Sequence, residues 1–401
     1  MKKTLLTICL VWMCFSLSAQ KIIDLSGKWS FSIDRQDNGE KEKWFSHTLN
    51  DFINLPGSMP EKLKGDEVTA KTQWTGSLYD SSYYYNPYME KYRKEGNIKF
   101  PFFLTPDKHY VGAAWYQKEV NIPADWKGER ILLFLERPHI ETTVWVNGQK
   151  TGMQNSLCVP HQYDITRYVR PGKCTITIRV DNRIKEINVG PDSHSITDQT
   201  QGNWNGIVGR ICLQTTPKTY FDDIQIYPEP EQKLARVKVV IKGTGTAKVK
   251  LSAESFNTDK KHIVPAIQQE IKLNKGVTET EMVLPMGNDM LLWDEFHPAL
   301  YKLKAEVTNG KKTEIKEIQF GMRRFEIKGK WFYVNGRKTQ LRGTVENCDF
   351  PLTGYAPMDV ESWERVFRIC RSYGLNHMRF HSFCPPEAAF MAADRVGFYL
   401  Q

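Results

Sequence analysis

Apolar and polar residues alternate along most of this chain. From Ile22 to about Pro217, short alternating runs are broken by Gly, Pro, Asn and Asp, which predicts antiparallel strands with one buried face. Trp29, Phe31 and Ile33 alternate with Lys28, Ser30 and Ser32. Residues 114–120, 130–136, 142–146 and 175–180 repeat the pattern. The run Val144-Trp145-Val146 ends in Asn147-Gly148, a dipeptide suited to a tight hairpin because both residues tolerate positive φ. A β-sandwich over residues 20–218 is the expected sum. One stretch, about 57–106, lacks this periodicity and crowds Tyr79, Tyr83, Tyr84, Tyr85, Tyr88 and Tyr92. It reads as a long insertion with enough aromatic surface to pack or to edge a ligand.

A second β-rich segment, 219–320, carries expected strands at 237–241, 246–253, 278–284 and 301–307. About a hundred residues suit an immunoglobulin-like sandwich, and Lys and Glu alternating along its strands suit a solvated face. Past Phe320 the pattern changes. Tyr333-Val334 lead into Asn335-Gly336, another hairpin signal, and a short strand is expected at 339–343. Asp359 then caps a helix with Trp363, Val366, Phe367 and Cys370 on one face, and Gly374 supplies a left-handed stop. A strand at 377–380, a helix at 386–396 and a strand at 397–400 follow. Strands alternating with helices predict a parallel α/β unit over 321–401, and the chain is expected to stop at Gln401 part-way through it.

Composition adds compartment and excludes some partners. Lys2 and Lys3 precede an apolar run at 4–17 and the small residues Ser18 and Ala19, the pattern of a signal peptide over 1–19. That run is too short for a permanent span, so the chain is expected to be exported to the periplasm, cell surface or medium, with no membrane span after cleavage. The formal charge of +9 falls to +7 without Lys2 and Lys3, and the bases are interspersed with acids, which argues against nucleic-acid binding. Six cysteines lie beyond the leader with no two-residue spacing, and they are expected mostly as buried small hydrophobes. The nine histidines show no ligand spacing, so neither metal nor cofactor is implied.

Several words occur in register. They are Leu25-Ser26-Gly27-Lys28-Trp29-Ser30-Phe31, Ala114-Trp115-Tyr116, Val144 to Gly148, Asp164-Ile165-Thr166, Val180-Asp181-Asn182, then Trp204, Gly206-Ile207 and Arg210. Phe320-Gly321-Met322-Arg323, Tyr333-Val334-Asn335-Gly336, Leu341-Arg342-Gly343 and Pro351-Leu352-Thr353-Gly354 continue the series. In this order they resemble glycoside hydrolase family 2, which includes β-galactosidases, β-glucuronidases and β-mannosidases. The resemblance implies a mainly β, multidomain chain: a jelly-roll sugar-binding domain, an immunoglobulin-like sandwich, and the first strands of an incomplete (β/α)8 TIM barrel.

It also implies chemistry. The family hydrolyses O-glycosidic bonds with two glutamates in a retaining mechanism, which needs their carboxyl groups roughly 5 Å apart. Both are expected beyond Gln401, so this chain is expected to lack catalytic residues and activity of its own. Its contribution would be the rim of a carbohydrate subsite. By resemblance the candidates are Asn347, where β-galactosidases have a sugar-contacting histidine, and Arg379 with His381 after the second barrel strand. Asp198 and Trp204 fall in a sandwich loop that in family members reaches over the barrel mouth. Glu346 and Asp349 are the acidic pair near a barrel strand's carboxyl end, where such folds gather reactive groups, and are expected as loop residues or substrate contacts, Glu346 among the substrate-binding candidates. Arg342, like Arg379, suits either an ion pair or substrate contact. A carbohydrate-binding protein without hydrolytic activity is the alternative function.

Overall fold

A computed structural model of the chain describes residues 20–76, 81–101, 104–185, 196–198, 203–350 and 352–401. The leader, Tyr79, Gln201 and Pro351 lie outside the described residues.

Two antiparallel sheets form the first sandwich. In one, Ile22–Asp24, Gly206–Thr216, Arg130–His139 and His161–Asp164 lie side by side, with Gly57–Ser58 pairing the start of Gly206–Thr216. In the other, the order is Gln149–Asn155, Glu141–Val146, Gly172–Asp181, Ala113–Ile122, Gly27–Asp34 and Asp51–Leu55. Trp29, Phe31, Tyr116, Val144, Val146 and Ile178 meet Leu133, Leu135, Ile211 and Leu213 in the core between them. The expected hairpin forms: Asn147 and Gly148 take φ of 49° and 75°, and Gln149 pairs Val146. Alternation alone misses one feature. Every residue of Glu141–Val146 is buried: Trp44, Phe45 and Leu49 roof the sheet's outer face over Trp115 and Trp145, and Arg179 and Lys185 pair with Glu141. Phe45 stacks on Trp145 with ring centroids 5.2 Å apart.

The tyrosine-rich insertion builds a small core of its own from Tyr83 and Phe100, with Val68, Trp74, Tyr92 and Ile98 against it. Tyr84, Tyr85 and Tyr88 remain exposed.

The second sandwich differs from expectation in its strand count. The expected strands at 237–241 and 246–253 are one strand, Leu234–Phe256, paired along its length with Ile263–Pro285. The glycines that look like a break, Gly243 and Gly245, instead form a bulge that lets the strand bend and continue. Its first half pairs with Tyr220–Glu229 and its second half with Leu300–Asn309, which pairs in turn with Lys312–Phe320.

A three-stranded meander, Phe325–Lys328, Trp331–Val334 and Arg337–Thr339, leads into the α/β unit. The first parallel strand is Gly343–Glu346, four residues later than the expected 339–343. Asn376 sets this register: its Oδ1 accepts the Arg342 N–H at 2.7 Å, while its own N–H donates to the Arg342 carbonyl at 3.0 Å. Helix Val360–Ser372, capped by Asp359 at 2.8 Å from the Ser362 nitrogen, connects it to the parallel strand His377–Phe380. Helix Glu387–Val396, stopped by Gly397 at φ 77°, leads to Tyr399–Leu400. Trp363, Phe367, Met378, Phe380 and Phe398 pack on the alanine face of the second helix. Three parallel strands covered by helices on one face are the opening of an α/β barrel.

Candidate functional site

The parallel register decides what meets at the barrel mouth. Glu346 pairs Phe380 across the two strands, so the residues that follow each, Asn347 and His381, emerge side by side. His381 N–H donates to the Glu346 carbonyl at 2.8 Å, and His381 Nδ1 lies 3.2 Å from Asn347 Oδ1. Glu346 turns its carboxylate back into the loop. Oε1 accepts the N–H groups of Cys348 and Asp349 at 2.9 and 3.3 Å, and Oε2 is buried without a hydrogen-bond partner. Burial pushes this carboxyl up to about 7, against the pull of the two backbone donors.

That shift carries a stability prediction. The unfolded carboxyl loses its proton near pH 4.5 and the folded one near 7. Stability is therefore full below 4.5, falls as pH rises through the window between the two values, and stays reduced above it. Glu346→Gln should stabilise the chain by about 2 kcal/mol at pH 8 and by almost nothing at pH 4. Urea midpoints at the two pH values check this; equal shifts at both would reject the protonation argument.

Arg379 is exposed on the strand face opposite Phe380. Arg342 is committed to structure, donating from Nε to the Gly374 carbonyl at 2.7 Å and from Nη1 to the Gln340 carbonyl at 3.3 Å. Asp349 contributes its backbone N–H to Glu346.

The two sandwich candidates are buried. Asp198 is fully enclosed; its Oδ2 accepts the Thr75 N–H at 2.6 Å, its Oδ1 accepts the Asn203 N–H, and His109 Nε2 lies 3.5 Å from Oδ2. Its carboxylate thus ties the insertion to the chain entering the strand Gly206–Thr216. Trp204 stacks on His139 with centroids 4.4 Å apart, and its ring lies 5.7 Å from that of Tyr355 of the barrel loop. It is a wedge between sandwich and barrel.

Sequence reasoning missed the residues that join the two domains. Tyr355 donates its hydroxyl to Glu61 at 3.1 Å, and Ser58 donates to the Thr353 carbonyl at 2.7 Å. Gly209, at φ 74°, admits Met358: a Cβ there would sit within 3 Å of both Met358 Cε and Glu136 Oε2. Arg137, His139, Trp204, Cys348, Tyr355 and Phe383 line a narrow cleft at this seam. These contacts join residues from about 150 to almost 300 positions apart, so no local pattern announces them. Among the described residues no cluster of three His, Cys, Asp or Glu suits a metal ion, and no helix is long and apolar enough to cross a membrane.

The arrangement offers an amide, an imidazole and an oxygen lacking a partner at adjacent strand ends, a set suited to hydroxyl groups. The profile described as "Glycosyl hydrolases family 2, sugar binding domain" matches residues 22–217, and "Glycosyl hydrolases family 2" matches 219–323. A β-glucuronidase of Paenibacillus borealis is 23% identical over 398 residues, covering 94% of this chain and 58% of that protein. A putative β-glucuronidase of Formosa agariphila is 27% identical over 301 residues, 73% of this chain and 35% of that protein. The β-glucuronidase of Ruminococcus gnavus, solved with uronic deoxynojirimycin, superposes with a TM-score of 0.69 at 19% identity, over 96% of this chain and 59% of that one. The chain thus spans less than two thirds of these relatives' length. With both sandwiches matched and the barrel opening in the same fold, this chain belongs to glycoside hydrolase family 2.

Proposed function

We propose that the chain supplies the sugar-subsite rim of an exported glycoside hydrolase that cleaves O-glycosidic bonds by a retaining two-glutamate mechanism, with both glutamates beyond Gln401. The observation that carries this reading is Glu346 Oε2, buried without a partner beside the Asn347–His381 contact at the ends of two parallel strands. A buried polar atom left unmet is costly, and a sugar hydroxyl would satisfy it. The glycosidase relatives support the reaction class, and the basic, then apolar, leader supports export.

Aryl β-glucuronides and β-galactosides test it. The 401-residue chain is expected to show no turnover above buffer. Turnover abolished in Glu346→Gln with Asp349→Asn would move the catalytic pair into this chain, and turnover surviving that double change would defeat the proposal altogether.

A further inference from the structure

Two cysteines distant in sequence meet where the sandwich touches the barrel opening. Cys158 follows the strand Gln149–Asn155 of the first sandwich, and Cys384 lies three residues past His381. One nitrogen spans both: Arg137 Nη2 donates to the Cys384 carbonyl at 2.6 Å and lies 4.0 Å from Cys158 Sγ. The two thiols lie near enough to act on each other electrostatically. Cys384 is exposed and Cys158 half-buried, so a dissolved oxidant reaches the pair. Cys348, the third cysteine at this seam, is buried. Burial pushes its thiol up to about 12; burial raises the Cys384 thiol as well, so exposure is what sets Cys384 apart.

We propose that Cys158 and Cys384 form a disulfide that clamps the first sandwich to the loop carrying His381. The chemistry is thiol–disulfide exchange with a small or protein disulfide as oxidant. The Cys384 thiolate attacks one sulfur of the oxidant and expels the other as a thiolate. The Cys158 thiolate then attacks Cys384 Sγ and expels the second. Two cysteine thiols lose two electrons and two protons; the oxidant gains them as two thiols. Arg137 Nη2, 4.0 Å from Cys158 Sγ and 2.6 Å from the Cys384 carbonyl, puts a positive charge at the pair.

The cross-link closes a loop of more than 200 residues, the long-loop case in which restricting the unfolded chain has the most to give. Its result is a fixed height of the His381 loop over the sandwich seam. Formation in the cell rests on the export proposed above; the pairing itself does not.

The whole 401-residue chain, equilibrated with oxidised glutathione and then alkylated, is the test. Peptide mapping without reductant should find one cross-linked pair holding Cys158 and Cys384, with two thiols lost per chain, and reductant should restore both. In Cys158→Ser, Cys384 should instead stop at a mixed disulfide with glutathione, because the resolving thiol is gone. Should that variant fail to fold, the unmodified chain decides alone. A stable glutathione adduct on Cys384 in the unmodified chain, pairing of Cys158 with Cys348, or both thiols recovered free would each overturn the proposal.

Discussion

Acidification from pH 6.5 to 4 should loosen the first sandwich by about 6 kcal/mol, roughly 3 from each of two buried histidines. His139 is enclosed beneath Trp204, and burial pushes its imidazole down to about 3 despite the hydrogen bond of Nε2 to Asn203 Oδ1 at 3.0 Å. His161 is equally buried, and burial pushes it to about 4; Nε2 donates to the Ser156 carbonyl at 3.2 Å and Nδ1 lies 2.6 Å from the Thr142 hydroxyl. In the unfolded chain both take a proton near 6.5, while the folded rings stay neutral. Stability is therefore full above 6.5 and lost as pH falls toward the folded values. In the other domains burial raises the carboxyl groups of Glu314, Glu346 and Asp394, which acid relieves, while burial lowers the His377 imidazole, which acid opposes. Hydrogen exchange should consequently accelerate most at pH 4 in peptides covering Arg130–His139 and His161–Asp164. Changing both histidines to Gln should flatten the response, and an undiminished acid effect in that variant would refute the assignment.

Asp198→Ala should cost about 4 kcal/mol, the penalty of leaving one buried and one half-buried backbone donor facing an apolar methyl. The Thr75 and Asn203 N–H groups both end on this carboxylate. Asp198→Asn keeps one acceptor oxygen and should recover about half. Thermal melts compare the three proteins directly. A loss under about 0.5 kcal/mol, the scale of an ordinary surface change, would mean that the carboxylate anchors nothing.

Local patterns made much of this legible. Asn147-Gly148 and Asn335-Gly336 turn as expected, since positive φ is a property of the dipeptide itself. Asp359 and Gly374 bracket a helix with Trp363 and Phe367 inward for the same reason. What stayed hidden depends on partners far along the chain. Asp198 sits among polar loop residues, and its burial comes from Thr75, 123 positions earlier. The roof of Trp44 and Phe45 overrides the alternation in Glu141–Val146. The first parallel strand starts late because Asn376, from the far side of a helix, holds Arg342. At the candidate site, the neighbourhood of Asn347 and His381 follows from strand–helix–strand order alone. The buried, partnerless Oε2 of Glu346 does not, because it depends on how the loop after the strand folds back.

The hairpin of Leu234–Phe256 and Ile263–Pro285 has a mechanical consequence. Its first half belongs to one set of neighbours and its second half to another, with only the glycine bulge between them. A pull at either end is carried through peptide bonds across the whole domain, and no loop intervenes to absorb it. The second sandwich should therefore behave as a stiff strut, yielding all at once, and so hold the first sandwich and the barrel opening at a fixed separation.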